Sequence, residues 1–159
     1  LNGFEPYIDI INLFSLFAPP FLQSAIAAFR KQQDAAGLST FYNFLMNLGA
    51  EEKTQVAAQL VAYADGHRQE QLKWEWITRI NGYFPGDPGI IAVALLRLFH
   101  LKPGEALYLP AGRLHAYLEG VGIELMANSD NVLRGGLTPK YIDVQELLRI
   151  LDFSEKPHV

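Results

Sequence analysis

Apolar side chains recur at spacings of three and four along the first hundred residues, which is the period of an amphipathic helix. Proline and glycine interrupt this pattern and divide it into six predicted helices. They are a short helix around 8–14 that ends before Pro19, followed by 20–33, 39–48, 51–64, 69–83 and 89–100. Ser39 is expected to cap the third helix after a connector at 34–37, and Asp87 with Pro88 is expected to begin the sixth.

Beyond residue 101 the pattern changes to short runs in which apolar and polar residues alternate, as is typical of strands. The predicted strands are 105–109, 114–118, 121–126 and 131–134. A turn at 110–112 separates the first two strands, which are therefore predicted to form a hairpin.

A capping box formed by Asp143 and Glu146 predicts a last helix that ends near residue 151. The whole pattern thus predicts an α+β fold. Its parts are a helical domain at 1–101, a strand region at 102–142, and a short helix with a tail at 143–159.

The composition narrows the classes of partner. The net charge of this 159-residue chain is −4 and its 13 lysines and arginines are scattered, so nucleic acid is not an expected partner. The longest apolar run, 90–101, falls short of the roughly 20 residues that a membrane-spanning helix requires, so no membrane partner is expected. Without a signal-peptide pattern, a cytoplasmic location is expected. Because the sequence begins at Leu1 rather than methionine, it is expected to be a segment of a longer protein.

The strand region also contains the chemically capable side chains. With no cysteine in the chain, a metal ion would need histidine, carboxylate or amide ligands. His115 and Tyr117 lie two residues apart on a predicted strand, so they are expected on one face. Glu124 lies between Ile123 and Leu125, where partial desolvation would suit a general base, although a structural carboxylate bonded to a turn fits the pattern equally.

The spacing of Gly104, Pro110, Gly112 and His115 resembles the second sequence motif of the cupins, which holds a metal-binding histidine in a small β-barrel. The words GDPG, HAYLEG and IELMANSDNVLRGGLTPKYID resemble more narrowly the type I mannose-6-phosphate isomerases, and the close match covers about 84–146. That resemblance implies a helical insertion followed by strands of an incomplete cupin barrel, because four or five strands cannot close a barrel of about eight.

The resemblance implies a zinc enzyme that interconverts mannose 6-phosphate and fructose 6-phosphate through an enediol(ate). His115 would be a Zn²⁺ ligand, and the remaining ligands, a Gln and a His two residues apart and a Glu, would lie upstream of this segment. Arg134 would be a catalytic residue that stabilises negative charge, with Glu124 as the candidate base. Tyr117 and Lys140 would contact the sugar phosphate. The segment alone would be inactive and bind zinc weakly, whereas the other three histidines, His67, His100 and His158, are expected to be structural.

Two other functions are compatible with the sequence. A non-catalytic sugar-binding or regulatory cupin would keep the fold and lose the proton-transfer groups. Alternatively, the helices would form an interaction module. The oligomeric state is left open by the sequence.

Overall fold

A computed structural model describes residues 1–128, 132–138 and 140–155 of the chain. These residues form seven α-helices and one short 3-10 helix, Pro20–Leu22, that leads directly into the second of them. The helices are α1 (Tyr7–Phe17), α2 (Gln23–Lys31), α3 (Ala35–Met46), α4 (Ala50–Gly66), α5 (Leu72–Tyr83), α6 (Ile90–Leu95) and α7 (Val144–Ile150). None of the helices among the described residues is long and apolar enough to cross a membrane.

One apolar core joins the helices. Helix α1 packs against α2 and α4, α2 against α3, and α4 against α5, so each helix turns its apolar stripe inward. Aromatic rings fill the centre of α1, α2 and α3, where Phe41 lies edge-on to Phe14 at 5.1 Å and stacks on Phe29 at 5.5 Å between centroids. Such pairs add stabilisation beyond the area they bury.

Helix α3 begins four residues earlier than predicted. Asp34 caps it, and its carboxylate accepts a hydrogen bond of 2.8 Å from the backbone N–H of Gly37. The prediction of a cap at Ser39 is therefore wrong. The turn between α2 and α3 is so tight that a Cβ on Gly37 would lie 1.8 Å from the carbonyl oxygen of Gln32, so the first turn of α3 requires glycine.

Helix α6 ends at Leu95, whereas the apolar pattern predicted that it would continue to residue 100. Leu96 is extended (φ −97°, ψ 146°) and forms an antiparallel bridge with Phe4. On either side of this bridge Glu5 N–H donates to Leu95 and Arg97 N–H donates to Gly3, both at 2.9 Å. Pairing with the N-terminal segment thus replaces the last helical turn.

The predicted α+β class is wrong for the described residues, which are helical and contain no strand and no cupin barrel. The predicted hairpin strands 105–109 and 114–118 do not pair, because the backbone of 114–116 bonds to the N-terminal segment instead. Residues 121–126 make no backbone hydrogen bond within the described part of the chain. A β-strand forms only where its backbone N–H and C=O groups hydrogen-bond to a neighbouring strand. The predicted pairing is absent among the described residues, so these extended runs do not form a sheet. Asn131, the start of the fourth predicted strand, lies outside the described residues.

The prediction of a final helix is confirmed. The Asp143 carboxylate caps α7 by accepting a hydrogen bond of 3.0 Å from Glu146 N–H. Glu146 does not close the predicted capping box, because its carboxylate pairs with Arg149 one turn later. The domain boundaries at residues 101 and 142 stay predictions, and the tail at 156–159 lies outside the described residues.

Candidate active site

The N-terminal segment 1–5 lies between the end of α6 and the residues around His115. On the His115 side, Gly3 N–H donates to Leu114 at 2.8 Å and Ala116 N–H donates to Leu1 at 3.0 Å. Asn2 and His115 form an antiparallel bridge between these two bonds. Backbone hydrogen bonds on both flanks therefore fix the position of His115.

The imidazole of His115 is exposed at the surface of the described chain. Its Nδ1 lies 3.0 Å from the carbonyl oxygen of Arg113. A carbonyl oxygen only accepts hydrogen bonds, so this contact holds the neutral ring in the tautomer that carries its proton on Nδ1. The lone pair of Nε2 is then available to a cation, which is the usual arrangement of a metal-binding histidine.

Tyr117 lies on the same side as His115, as predicted, with the two ring centroids 6.1 Å apart. The Tyr117 hydroxyl donates a hydrogen bond of 2.8 Å to Glu124 Oε1. This bond to a carboxylate is the main cause that raises the pKa of Tyr117, and some desolvation and the charge of Glu124 act in the same direction. His115, Tyr117 and Glu124 are therefore grouped at one place on the surface.

Glu124 itself is exposed, and the neighbouring Ile123 and Leu125 are 95% and 94% exposed. The partial desolvation expected from those two neighbours is absent among the described residues. The grouping of Glu124 with Tyr117 depends on their hydrogen bond across seven residues rather than on burial.

Arg134 lies close to this group through its neighbours in the chain. A Cβ on Gly135 would lie 2.6 Å from the side chain of Leu114, the residue before His115. A Cβ on Gly136 would lie 3.2 Å from the Cα of Gly89, so the RGG sequence contacts the GDPG sequence at the start of α6. The Arg134 side chain is exposed and makes no hydrogen bond or ion pair within the described ranges.

Lys140 is also exposed, and its backbone N–H donates to Thr138 Oγ1 at 3.2 Å. The structure gives its ammonium group no contact with His115, Tyr117 or Glu124 in the part of the chain that it describes. Its contact with substrate stays a prediction.

The described residues do not form a complete metal site. They contain no group of three histidine or carboxylate side chains that could hold an ion. His115 has the donor chemistry that Zn²⁺ requires, but catalytic zinc usually takes three protein ligands. A surface depression of about 700 Å³ is lined by Glu75, Thr78, Arg79 and residues 68–72 rather than by the site candidates.

Sequence reasoning did not single out two residues that support the site. Arg113 supplies the carbonyl that orients His115, and Arg79 of α5 forms an ion pair with Glu119, two residues after Tyr117. The Arg79 guanidinium also lies 4.0 Å above the ring of Trp76. The ion pair of Arg79 with Glu119 joins residues 40 positions apart, so the spacing of nearby residues gives no signal for it. Arg113 contributes a backbone carbonyl, a group that every residue carries, so its identity gives no signal either.

Known proteins are similar to this chain over nearly its whole length. Residues 19–96 match the family described as "Phosphomannose isomerase type I, helical insertion domain". Mannose-6-phosphate isomerase of Escherichia coli K12 is 43% identical over 157 residues, which are 99% of this chain and 39% of that protein. The enzyme of Rattus norvegicus is 36% identical over 172 residues, covering 99% of this chain and 40% of the relative.

Solved structures give the same result. Mannose 6-phosphate isomerase of Salmonella typhimurium bound to fructose 6-phosphate and zinc superposes with a TM-score of 0.85 and 44% identity, over 98% of this chain and 39% of that structure. The apo form of the Salmonella enzyme has the same TM-score, 0.85, and the same coverage. The chain thus spans about two fifths of the length of its relatives. Residues 19–96 match the helical insertion domain of type I phosphomannose isomerase, and the chain is similar to mannose-6-phosphate isomerases over 98–99% of its length.

Proposed function

We propose that this chain is part of a zinc-dependent isomerase that interconverts mannose 6-phosphate and fructose 6-phosphate. The observation that carries the proposal is the similarity, over 98% of the chain, to a Salmonella enzyme bound to fructose 6-phosphate and zinc. Because that similarity extends past the helices, it includes the segment with His115, Tyr117 and Glu124. The chain spans 39% of that enzyme, so its residues would form one part of the active site.

His115 would hold the metal through Nε2, with its Nδ1–H bonded to Arg113. Bound zinc supplies a positive charge that orders the substrate and polarises its oxygens. The described residues contain no group of three ligands that could hold an ion, so the other ligands would come from the rest of the enzyme. The isolated chain is accordingly predicted to bind zinc weakly and to be inactive.

Glu124 would exchange the proton that moves between C2 and C1 of the sugar. In aldose–ketose isomerisation a base removes a proton from one carbon and returns it to the next, through an enediol(ate). The Tyr117 hydroxyl, 2.8 Å from Glu124 Oε1, would hold that carboxylate in place and present a polar group to the sugar hydroxyls. Closure of the site by the rest of the enzyme would supply the desolvation that Glu124 lacks among the described residues.

Arg134 would stabilise the oxygen that becomes negative in the enediolate. Its guanidinium keeps its charge and offers paired donors to oxygen atoms. Its side chain is exposed among the described residues, which suits contact with a ligand. Lys140 would contribute a second positive charge toward the phosphate.

The test is an isomerase assay on the complete protein with Glu124→Gln and Arg134→Ala. Each change should lower kcat at least about 100-fold, the usual contribution of a base or of a charge-stabilising donor. Arg149→Ala is the matched control, because Arg149 is an exposed arginine of α7 that pairs with Glu146 and has no assigned role in the reaction, and it should leave kcat unchanged. If neither Glu124→Gln nor Arg134→Ala lowered turnover at saturating substrate, both roles would be wrong.

A fully active Arg134→Ala enzyme with intact zinc would place the charge stabilisation elsewhere. Sugar-phosphate binding without turnover in the wild-type protein would favour a sugar-binding function instead. The cytoplasmic location and the absence of nucleic-acid and membrane partners stay predictions, and the oligomeric state stays open.

A further inference from the structure

We propose that Arg113 is a positioning residue for His115, which acts by fixing the peptide carbonyl that orients the imidazole. The inference rests on the proposed function of His115 as a metal ligand. It goes beyond that function by assigning a role to a buried charged side chain that makes no contact with the substrate.

The first observation is the burial of the guanidinium. Within the described residues only Asn2, Lys73 and Arg113 are polar side chains classed as buried, and the Arg113 side chain is 3% exposed. An arginine keeps its charge inside a protein, so it requires partners there. Its Nη2 donates to Asp152 Oδ2 at 3.3 Å.

Asp152 is itself held against the turn before Arg113. Its backbone N–H donates to the Gly112 carbonyl at 2.8 Å, next to the peptide that carries Arg113. The side-chain and backbone bonds of Asp152 therefore join residues 112 and 113 to the segment after α7. This segment is fixed in turn by Phe153, which stacks on Phe4 in the core at 5.3 Å.

Gly3 borders the other side of the guanidinium. Its φ is +63°, and a Cβ on it would lie 2.5 Å from Arg113 Nη1, so the planar group packs directly on the Gly3 backbone. The N–H of the same glycine donates to Leu114 at 2.8 Å. Gly3 thus contacts both the side chain of residue 113 and the backbone of residue 114.

These contacts leave the Arg113 carbonyl little freedom, and it accepts the hydrogen bond from His115 Nδ1 at 3.0 Å. Groups that bond the second nitrogen of a metal-binding histidine fix its tautomer and ring orientation. The Arg113 Nε has no partner among the described residues, so the buried cation is incompletely satisfied. A buried ion pair typically adds little net stability compared with well-packed apolar side chains, and this favours a role in placement.

The first experiment measures the His115 tautomer in the metal-free complete protein. Selective ¹⁵N-histidine labelling reports which ring nitrogen carries the proton. Wild type should show Nδ1–H at His115, Arg113→Met should show a mixture of tautomers, and Arg113→Lys should lie between them, because lysine keeps a charge for Asp152 but loses the planar contact with Gly3. Arg149→Met is the control for loss of an exposed arginine and should resemble wild type.

The second experiment measures zinc affinity of the same variants by competition with a chelator. Loss of a group that orients a metal ligand typically weakens metal binding 10- to 100-fold, and this loss is expected for Arg113→Met. The KM of Arg113→Met for the sugar phosphate, measured at saturating zinc, should change by a smaller factor than its zinc affinity.

Unchanged tautomer and unchanged zinc affinity in a folded Arg113→Met protein would overturn the proposal. Should Arg113→Met fail to fold, Asp152→Asn, which removes the carboxylate charge and keeps the shape, decides by the same two readings. A wild-type protein without isomerase activity would count against the proposed function, and the tautomer comparison would still decide the role of Arg113.

Discussion

Two isoleucines show the contrast between the helical region and the segment that follows it. Ile77 of α5 is fully buried in the helical core, whereas Ile123 is 95% exposed. A helix satisfies its backbone hydrogen bonds within itself, so it needs neighbours only for its apolar face. An extended run needs neighbours for both its backbone and its side chains. Among the described residues, the backbone of 121–126 is unpaired and its apolar side chains are exposed. An apolar residue therefore predicts burial only where its helix or extended run packs against another part of the protein.

The largest expected effect compares these two isoleucines directly. In this chain Ile77→Ala should lower the free energy of unfolding by about 2–5 kcal/mol, because it leaves a cavity in the core. Ile123→Ala should change it by less than about 0.5 kcal/mol, as expected at an exposed position. Urea unfolding followed by the fluorescence of Trp74 and Trp76 measures both. Equal losses at the two positions would mean that residues 121–126 pack within this chain after all.

A second pair compares glycines in the two regions. Gly37→Ala in α3 should lower stability by about 3 kcal/mol, since the new methyl group would overlap the Gln32 carbonyl and the backbone would have to shift. Gly122→Ala, where nothing lies within 4 Å of the added atom, should stay within about 0.5 kcal/mol of wild type. The same urea titration serves for both, and a neutral Gly37→Ala would contradict the tight α2–α3 turn.

Tyr42 makes the stability of the helical core sensitive to alkaline pH. Burial raises the pKa of Tyr42 well above its ordinary value of 10.0. Below pH 10 both the folded and the unfolded chain keep the phenol proton. Above pH 10 only the unfolded chain loses it, so the contribution of Tyr42 to stability falls by about 1.4 kcal/mol per pH unit.

Denaturation of wild type and Tyr42→Phe at pH 9 and at pH 11 isolates this contribution. Wild type should lose more stability than the phenylalanine variant, whereas Tyr108→Phe, at a position 78% exposed, should behave as wild type does. Parallel losses in wild type and Tyr42→Phe would show that Tyr42 ionises in the folded state.

The smallest expected effect concerns the same hydroxyl at neutral pH. The Tyr42 hydroxyl is buried without a hydrogen-bond partner among the described residues, so Tyr42→Phe should raise the free energy of unfolding by about 1 kcal/mol. Tyr108→Phe should leave it unchanged within error. A clear loss of stability in Tyr42→Phe would reveal a partner for that oxygen.

Local signals in the sequence predicted much of the fold. The existence of the helices followed from apolar spacing, and the cap at Asp143 followed from residues three positions apart. The cap at Ser39 failed because Asp34, nearby in the chain, begins the helix earlier, but two other predictions failed where a distant segment pairs with the same backbone. Leu96 leaves α6 to pair with Phe4, and 114–116 pairs with the N-terminal segment rather than with 105–109. The pattern of a single run does not encode those competing partners.

The candidate site divides in the same way. The common side of His115 and Tyr117 was predictable because it depends on a spacing of two. The role of Arg113 was not predictable, because it depends on contacts with Gly3, more than a hundred residues earlier, and with Asp152, 39 residues later. The spacing of nearby residues identifies the side chains that could take part in the reaction. The residues that hold those side chains in position are identified only from the folded structure.

The pairing of Leu1 with Ala116 also determines when the site forms during folding. The two residues are 115 positions apart, whereas the backbone bonds of a helix join residues four apart. Closing so long a loop has an entropic cost that short-range contacts avoid, so local structure forms faster. The helices should therefore form first and His115 should take its place last. By the same reasoning, hydrogen exchange at Gly3 and Ala116 should be faster than in α4, so the site should open while the helical core stays closed.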